Sequence, residues 1–397
     1  APGRPPPPKP EEAAVRARWV PAAAALLLLL SGCGRVGELP YAREMEDMAL
    51  MRTLGVDLED GGVRVTASSG VQSRGVDQGE EPPLVLSSVS GTVSGACLAM
   101  QSYGTSYVFY GHVGQLLLGE DMARSGLMEA LDYIERDPEM RLGTELFVVR
   151  GGTAADALFS AASESASAAE RLEAIEDDEG EQPDAMTRSV GDVLSDLSKH
   201  GAAFAPALEL REKREGDGGA GEKQLASAGY AIFRESGLAG WAEGDAAYGV
   251  NLMEGQVDAD VLELDTDSGK TALRVVDAKT TVGAVFDGDT LTGLTVACTV
   301  EANLAQAPEG FSDWDEALLE ELRRALEETE RTRLEAVLDL SRTLEADFLG
   351  LKKRAGLAAP WRWAALQEQW EDAFPDLDIQ VSVKGTILRS YDTAGGV

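Results

Sequence analysis

The spacing of apolar residues changes character several times along this chain, and each change predicts a different element. Ala22 to Leu30 is unbroken apolar sequence. From Arg43, the residues Met45, Met48, Ala49 and Arg52 have helical spacing and lead into Leu54-Gly55-Val56-Asp57. Val63 to Ser69 alternates as a strand does, and residues 70–82 are polar and glycine-containing, which predicts a loop. A helix is predicted over Ser94 to Ser102 and a strand over Tyr107 to Leu118. Met122, Ala123, Leu127, Ala130, Leu131 and Ile134 then predict a helix from Glu120 to Glu135, stopped by Asp137-Pro138. Thr144 to Val149 reads as a buried strand and Thr153 to Ile175 as an alanine-rich helix. After an acidic loop at 176–185, a further helix runs to His200. This alternation argues for a mixed α/β domain over 43–210.

The stretch 211–224 (REKREGDGGAGEKQ) is charged, glycine-rich and without apolar period, so it reads as a linker. Beyond it, the period becomes two. Ala228 to Phe233 and Leu238 to Trp241 flank Glu235-Ser236-Gly237 and predict a hairpin. Strands near 257–265, 272–286 and 290–304 form an antiparallel meander, with Leu294, Val296, Cys298, Val300, Ala302 and Leu304 on one face. Ser312 is placed to cap a long helix whose apolar stripe runs from Leu318 to Phe348 and ends at Lys352 to Gly356. A helix from Trp361 to Phe374 and a closing strand through Leu377, Ile379, Val381 and Val383 complete the pattern. The expected class is α+β with mixed α/β content, in more than one domain. The second domain, 225–397, is expected to lay helices over an antiparallel sheet.

The N-terminal apolar run belongs to another grammar. Arg16 and Arg18 precede it, and Leu30-Ser31-Gly32-Cys33 closes it. A basic segment, a short apolar core and small residues before a cut site describe a secretory signal. A Cys at the cut site makes it the lipobox of a bacterial lipoprotein. Residues 1–32 are then the signal peptide, cleavage falls between Gly32 and Cys33, and residues 33–42 are a tether. The Cys33 thiol would carry diacylglycerol, with an N-acyl chain on its amine. The run is too short to cross a bilayer, which needs about 20 apolar residues. The net charge of −34 removes the electrostatic footprint for nucleic acid and disfavours an anionic lipid surface. Membrane attachment is therefore assigned to the acyl chains.

The chain offers little for catalysis or metal binding. His112 and His200 are its two histidines, HExxH is absent, and no cysteines stand at metal-ligand spacing, so no metal site is expected. Cys97 and Cys298 could pair in an oxidising compartment, but they read better as two separate buried thiols. Likewise, Cys97 and His112 read as a core thiol and a strand-end imidazole rather than a nucleophile and its base. One GxGxxG, Gly216 to Gly221, lies in the linker among Glu215, Asp217 and Glu222, where a phosphate would be repelled. Trp361, Trp363 and Trp370 read as core at helical spacing. No enzyme activity is expected.

Several segments taken in order are more specific. Arg43-Glu44-Met45-Glu46-Asp47-Met48-Ala49 is followed by Thr53 to Asp57. Next comes the block from His112 to Leu158, with GEDMARSG and RDPEMR inside it. Gly229-Tyr230-Ala231-Ile232-Phe233 and Leu238-Ala239-Gly240 come later, and a terminal VSVKGTI strand follows a Trp-rich helix. This order resembles the Ger(x)C family, the lipoprotein C subunits of nutrient germinant receptors in endospore-forming bacteria. The resemblance covers essentially the whole chain after Cys33. Gly34-Arg35 stand where family members usually have Trp-Asp, and a longer spacer precedes Arg43-Glu44.

The resemblance implies a lipid-anchored protein on the outer face of the inner spore membrane. It would assemble there with integral-membrane A- and B-type subunits, without catalysis or a cofactor beyond the covalent lipid. Cys33 is the functional residue that carries over. Glu120, Arg136, Asp137 and Arg141 match the family block. They are expected to form an ion-pair network tying the helix from Glu120 to the strand after Arg141, or else a contact surface for the partners. The competing reading is an extracytoplasmic solute-binding lipoprotein of a transport system, which requires two similar lobes around a cleft. A lipid-anchored hydrolase would require convergent polar residues in a pocket.

Overall fold

The computed structural model describes residues 48–73, 80–103, 106–162, 166–177, 186–212, 223–257, 261–266, 269–306 and 316–388. Two sheets organise them. The first is built from β1 (Met48–Glu59), β2 (Gly62–Ser69), β5 (Val85–Ser90), β6 (Tyr107–Phe109), β7 (Gln115–Gly119), β8 (Glu145–Val149), β9 (Ala202–Glu212), β10 (Lys223–Arg234) and β11 (Gly237–Ala242). Its order is β11-β10-β9-β8-β7-β1-β2-β5, with β6 beside β1. A two-stranded ribbon, β3 (Gln72–Ser73) with β4 (Glu80–Glu81), lies apart from it. The centre is parallel: β1 pairs with β7, β7 with β8 and β8 with β9. Both flanks are antiparallel. The central strands read QLLLG and ELFVV because helices cover both their faces, so neither face can be polar.

On one face lie α1 (Val93–Met100), α2 (Glu120–Ser125), α3 (Met128–Arg136) and α6 (Val190–His200), around Met51, Leu116, Leu118, Leu131 and Phe233. On the other face, α4 (Ala154–Ala161) and α5 (Ala168–Asp177) pack on Leu117, Phe147 and Val149. The second sheet has the order β12 (Val261–Thr266), β13 (Gly269–Asp287), β14 (Thr290–Gln306), β15 (Asp378–Leu388). The first three strands are the expected antiparallel meander. β15 adds in parallel to β14. A parallel partner needs a long crossover, here α8 (Glu316–Thr343), α9 (Leu351–Ala358) and α10 (Trp363–Ala373). Between the sheets, α7 (Asp245–Glu254) crosses α8 so closely that a Cβ on Gly249 would collide with the carbonyl oxygen of Arg333.

The expected class holds: mixed α/β with two sheets. The two ends of the stretch 211–224 are strand rather than linker. Arg211 and Glu212 end β9, and Lys223 and Gln224 begin β10, paired as Glu212↔Lys223 and Arg211↔Gln224. Residues 213–222, with the GxGxxG, lie outside the described residues. A charged, glycine-rich stretch reads as a linker because nothing in it reports the pairing of the residues on either side. The hydrophobic core also crosses this position. Phe204, Tyr230 and Ile232 of the first sheet belong to one buried cluster with Val296, Leu326 and Phe348 of the second. Phe204 meets Tyr230 and Phe348 edge-on.

Other boundaries shift for local reasons. Met48, Ala49 and Arg52 lie in β1, since Ala49, Met51 and Thr53 alternate into the core. The strand expected over Tyr107 to Leu118 is two strands, divided by a turn at Tyr110–His112. The helix expected from Glu120 breaks at Gly126, whose φ of 129° lies outside helical space. The alanine-rich helix is two helices. The long stripe stops at Thr343, where Glu345 and Gly350 take positive φ and let α9 start in a new direction. β3, β4, β5, β9 and α7 have no counterpart among the expected elements. Ser312 and most of the acidic loop lie outside the described residues.

Candidate functional site

The carboxyl ends of parallel strands are where open α/β sheets place ligand sites. Here that edge holds Asp57 at the end of β1, Gly119 at the end of β7 and the turn after β8. Asp57 is 4 % exposed. Its Oδ1 accepts from Ala154 N–H at 2.6 Å and its Oδ2 from Ala155 N–H at 2.9 Å. Burial pushes this carboxyl above its ordinary value, and the two amides pull against that. Thr153 Oγ1 accepts from Asp156 N–H at 3.0 Å. The first amides of α4 are thus consumed by protein acceptors, which removes the anion site that a helix start at a strand end offers. Gly119 admits Asp57, because a Cβ there would strike its Oδ1. The arrangement is a structural lock.

Glu120 lies beside it. Its Oε1 accepts from Arg124 and its Oε2 from Gly151 N–H at 2.6 Å, so it ties α2 to the turn after β8. Against partial burial, that amide and the Arg124 guanidinium hold its carboxyl below the usual range. The other three family-block residues do not join it. Arg136 pairs with Asp132 on its own helix, at 2.6 Å. Asp137 accepts from Glu139 N–H at 2.9 Å. Arg141 is exposed. Among the described residues, no hydrogen bond or ion pair connects any two of the four. The expected network is replaced by separate local contacts, because the break at Gly126 and the turn after Asp137 separate the carriers. A cleft of about 430 Å³ nearby is lined by Arg150, Gly151, Asp156, Ser160, Glu209 and Lys223. Among the described residues, it holds no nucleophile paired with a base.

Cys97 and Cys298 are buried and unpaired, in separate cores. Burial pushes the Cys97 thiol up to about 11, away from reactive thiolate. Tyr110 Oη donates to the Cys97 carbonyl at 3.0 Å. His112 is exposed and packs edge-on to Phe109. His200 ends α6 next to Gly350, and burial lowers its affinity for a proton. Among the described residues, no cluster of His, Cys, Asp and Glu is arranged to hold a metal ion. Among the same residues, no helix is long and apolar enough to cross a membrane.

The Trp-rich segment divides in a way the helical spacing did not show. Trp370 is buried and stacks on Phe374 with centroids 5.0 Å apart, as expected of core. Trp363 lies across Gly356 and is partly exposed, while Trp361 is 80 % exposed. Pro360 turns the chain from α9 into α10 through a short 3-10 turn, and this lifts Trp361 off the surface.

Cys33 and Gly32 lie outside the described residues. Residues 41–210 match the family described as spore germination protein, N-terminal domain, and residues 228–391 match spore germination B3/GerAC-like, C-terminal. YfkR of Bacillus subtilis (strain 168), named as a spore germination protein, is 21 % identical over 273 residues, covering 68 % of this chain and 69 % of that protein. The crystal structure of the GerBC protein superposes with a TM-score of 0.55 at 17 % identity, covering 84 % of this chain and 96 % of that one. With both of its domains matched in order over most of its length, the chain belongs to the Ger(x)C family of spore germination proteins.

Proposed function

We propose that this chain is the lipid-anchored, non-catalytic subunit of a spore nutrient germinant receptor. Cys33 carries the acyl chains. The folded body lies on the outer face of the inner spore membrane and assembles with integral-membrane A- and B-type subunits. The observation that carries this reading is the ordered match to both spore germination domains, behind the lipobox Leu30-Ser31-Gly32-Cys33. The locked edge of the parallel strands supports a scaffold role, since its acceptors are spent on the fold. The solute-binding alternative calls for two similar lobes. A nine-stranded mixed sheet and a four-stranded sheet of different topology are not such a pair.

The test is deletion of the gene in its native host, followed by dipicolinic acid release from purified spores given a panel of nutrients. Loss of release for one nutrient class is expected, restored by the wild-type gene and not by Cys33→Ala. Full restoration by Cys33→Ala would remove the lipid anchor from the reading. Unchanged release across the panel, in a strain with no second receptor, would remove the receptor role.

A further inference from the structure

The surface around α9 and the following turn combines features that fit a phospholipid headgroup layer. Trp361 is 80 % exposed and Leu357 is 71 % exposed, and they stand four residues apart around a proline-directed bend. Trp363 and the small residues Ala358 and Ala364 extend the same exposed sequence. Exposed Trp and Leu side chains on one short segment are costly in water, whereas such residues are favoured at the membrane–water boundary.

The charge distribution selects the same face. The chain carries 69 acidic residues, yet residues 348–367 hold Lys352, Lys353, Arg354 and Arg362 and no carboxylate. Carboxylates reach this surface from elsewhere: three pair with these cations, while Asp196, which lines the same cleft as Lys353 and Leu357, pairs with Arg188. Asp289 pairs with Arg362 at 2.5 Å, Glu254 with Arg354 at 2.5 Å, and Glu371 with Lys352 at 3.4 Å. Lys353 is exposed and, among the described residues, has no ion-pair partner. It lies one helical turn before Leu357, on the same side of α9. A body of charge −34 is repelled by an anionic bilayer. That repulsion is weakest where the acid is absent or neutralised, and screening confines it to about 8 Å in physiological salt. The acidic body thereby orients this one face toward the lipid.

The mounting is rigid, as an insertion point requires. Gln369 accepts from Leu291 N–H at 2.8 Å and donates to the Asp289 carbonyl at 2.8 Å, fixing α10 to the β13–β14 turn. Arg362 lies over the Phe286 ring at 5.2 Å. Asp347 accepts from Leu351 N–H at 2.6 Å and Lys352 N–H at 3.0 Å, fixing the start of α9.

We propose that Leu357 and Trp361, with Lys353 beside them, form a membrane-docking point that seats the folded body on an anionic phospholipid surface. It is a second contact, independent of the acyl anchor and of receptor assembly. Leu357 and Trp361 enter the boundary between headgroups and acyl chains, and Lys353 meets lipid phosphate.

The test uses the mature chain, residues 33–397, carrying Cys33→Ser, which lacks the apolar signal run and cannot be acylated. It is mixed with vesicles of phosphatidylglycerol and phosphatidylcholine whose acyl chains are brominated near the headgroup, where bromine quenches a contacting indole. Trp361→Phe is expected to lose most of the vesicle-dependent quenching. Leu357→Ser/Trp361→Ser is expected to lower the vesicle-bound fraction about tenfold. Lys353→Glu is expected to weaken binding to these vesicles and to have no effect with pure phosphatidylcholine. Thermal melts by circular dichroism check the fold, and Trp361→Phe leaves the buried core untouched. Equal quenching in Trp361→Phe and its parent would overturn the proposal. So would a parent dimer that Leu357→Ser/Trp361→Ser converts to monomer, because the face would then belong to a second copy. A deletion strain with normal germination would leave the vesicle result standing, so the two readings fail separately.

Discussion

Asp57 Oδ1 accepts a hydrogen bond from Ala154 N–H at 2.6 Å, and this one contact joins the end of β1 to the start of α4 across 97 residues of chain. Asp57→Ala leaves two amides of α4 without their acceptor in a buried setting. The expected loss is about 2–4 kcal/mol of stability, read as a lower urea midpoint at unchanged slope. Asp57→Asn keeps one acceptor and should lose less. Equal midpoints for wild type and Asp57→Ala would show that water replaces the carboxylate.

Glu330 is fully buried in α8, and its Oε1 takes Arg333 Nη1 at 3.1 Å, while the Arg333 guanidinium lies 4.0 Å from the centre of the Tyr248 ring on α7. Arg333→Ala removes the guanidinium from a carboxylate that water does not reach. A loss of about 3–5 kcal/mol is expected. Glu330→Leu/Arg333→Met removes both charges together and should lie much closer to wild type. Losses in Glu330→Leu and Arg333→Met that add up to the loss in the double would deny the pairing.

Gly249 sits where α7 meets α8, against the Arg333 carbonyl and the Val337 side chain. Gly249→Ala gains helix propensity of up to about 1 kcal/mol but forces the two helices apart, at about 1–3 kcal/mol. A lower melting temperature is expected. A higher one would mean that propensity wins and the crossing is loose.

Asp347 is buried, and burial raises its carboxyl from an ordinary 3.8 to about 7 against the pull of the Lys352 and Leu351 amides. The folded state therefore holds this proton more tightly than the unfolded state. Its contribution to stability is full below about pH 4 and is lost as pH rises through about 7. Asp347→Asn should flatten that decline in a series of urea titrations from pH 4 to pH 8. An unchanged slope would assign the dependence to other groups.

Cys97 and Cys298 are buried thiols whose burial disfavours the thiolate. In the native chain at pH 8, neither should react with maleimide within an hour, and both should react at once in urea. Rapid native labelling at Cys97 would show that α1 opens.

Much of this architecture was legible in the order of residues, and the reason is periodicity. Strands β13, β14 and β15 alternate with period two over long runs, with Leu294, Val296, Cys298, Val300 and Ala302 all buried. Such repetition reports one wetted and one dry face whatever the partner. The apolar turns of α3 and α8 are legible for the same reason. The family, too, could be read from ordered segments, because a run such as GEDMARSG is improbable by chance.

Contacts between distant segments were decided only by the tertiary structure. The pairing of β9 with β10 across 211–224 depends on strand edges meeting in space, and a polar stretch of sequence carries no sign of it. Whether Glu120, Arg136, Asp137 and Arg141 meet depends on where Gly126 and Asp137 redirect the backbone, and they do not meet. Asp57 finds its two amides through the closure of a parallel sheet, which adjacent residues do not encode. The three tryptophans lie within ten residues, yet Trp370 is core and Trp361 faces outward. Spacing gives a residue's angle around its own helix axis, and the neighbouring chain decides which angle is covered.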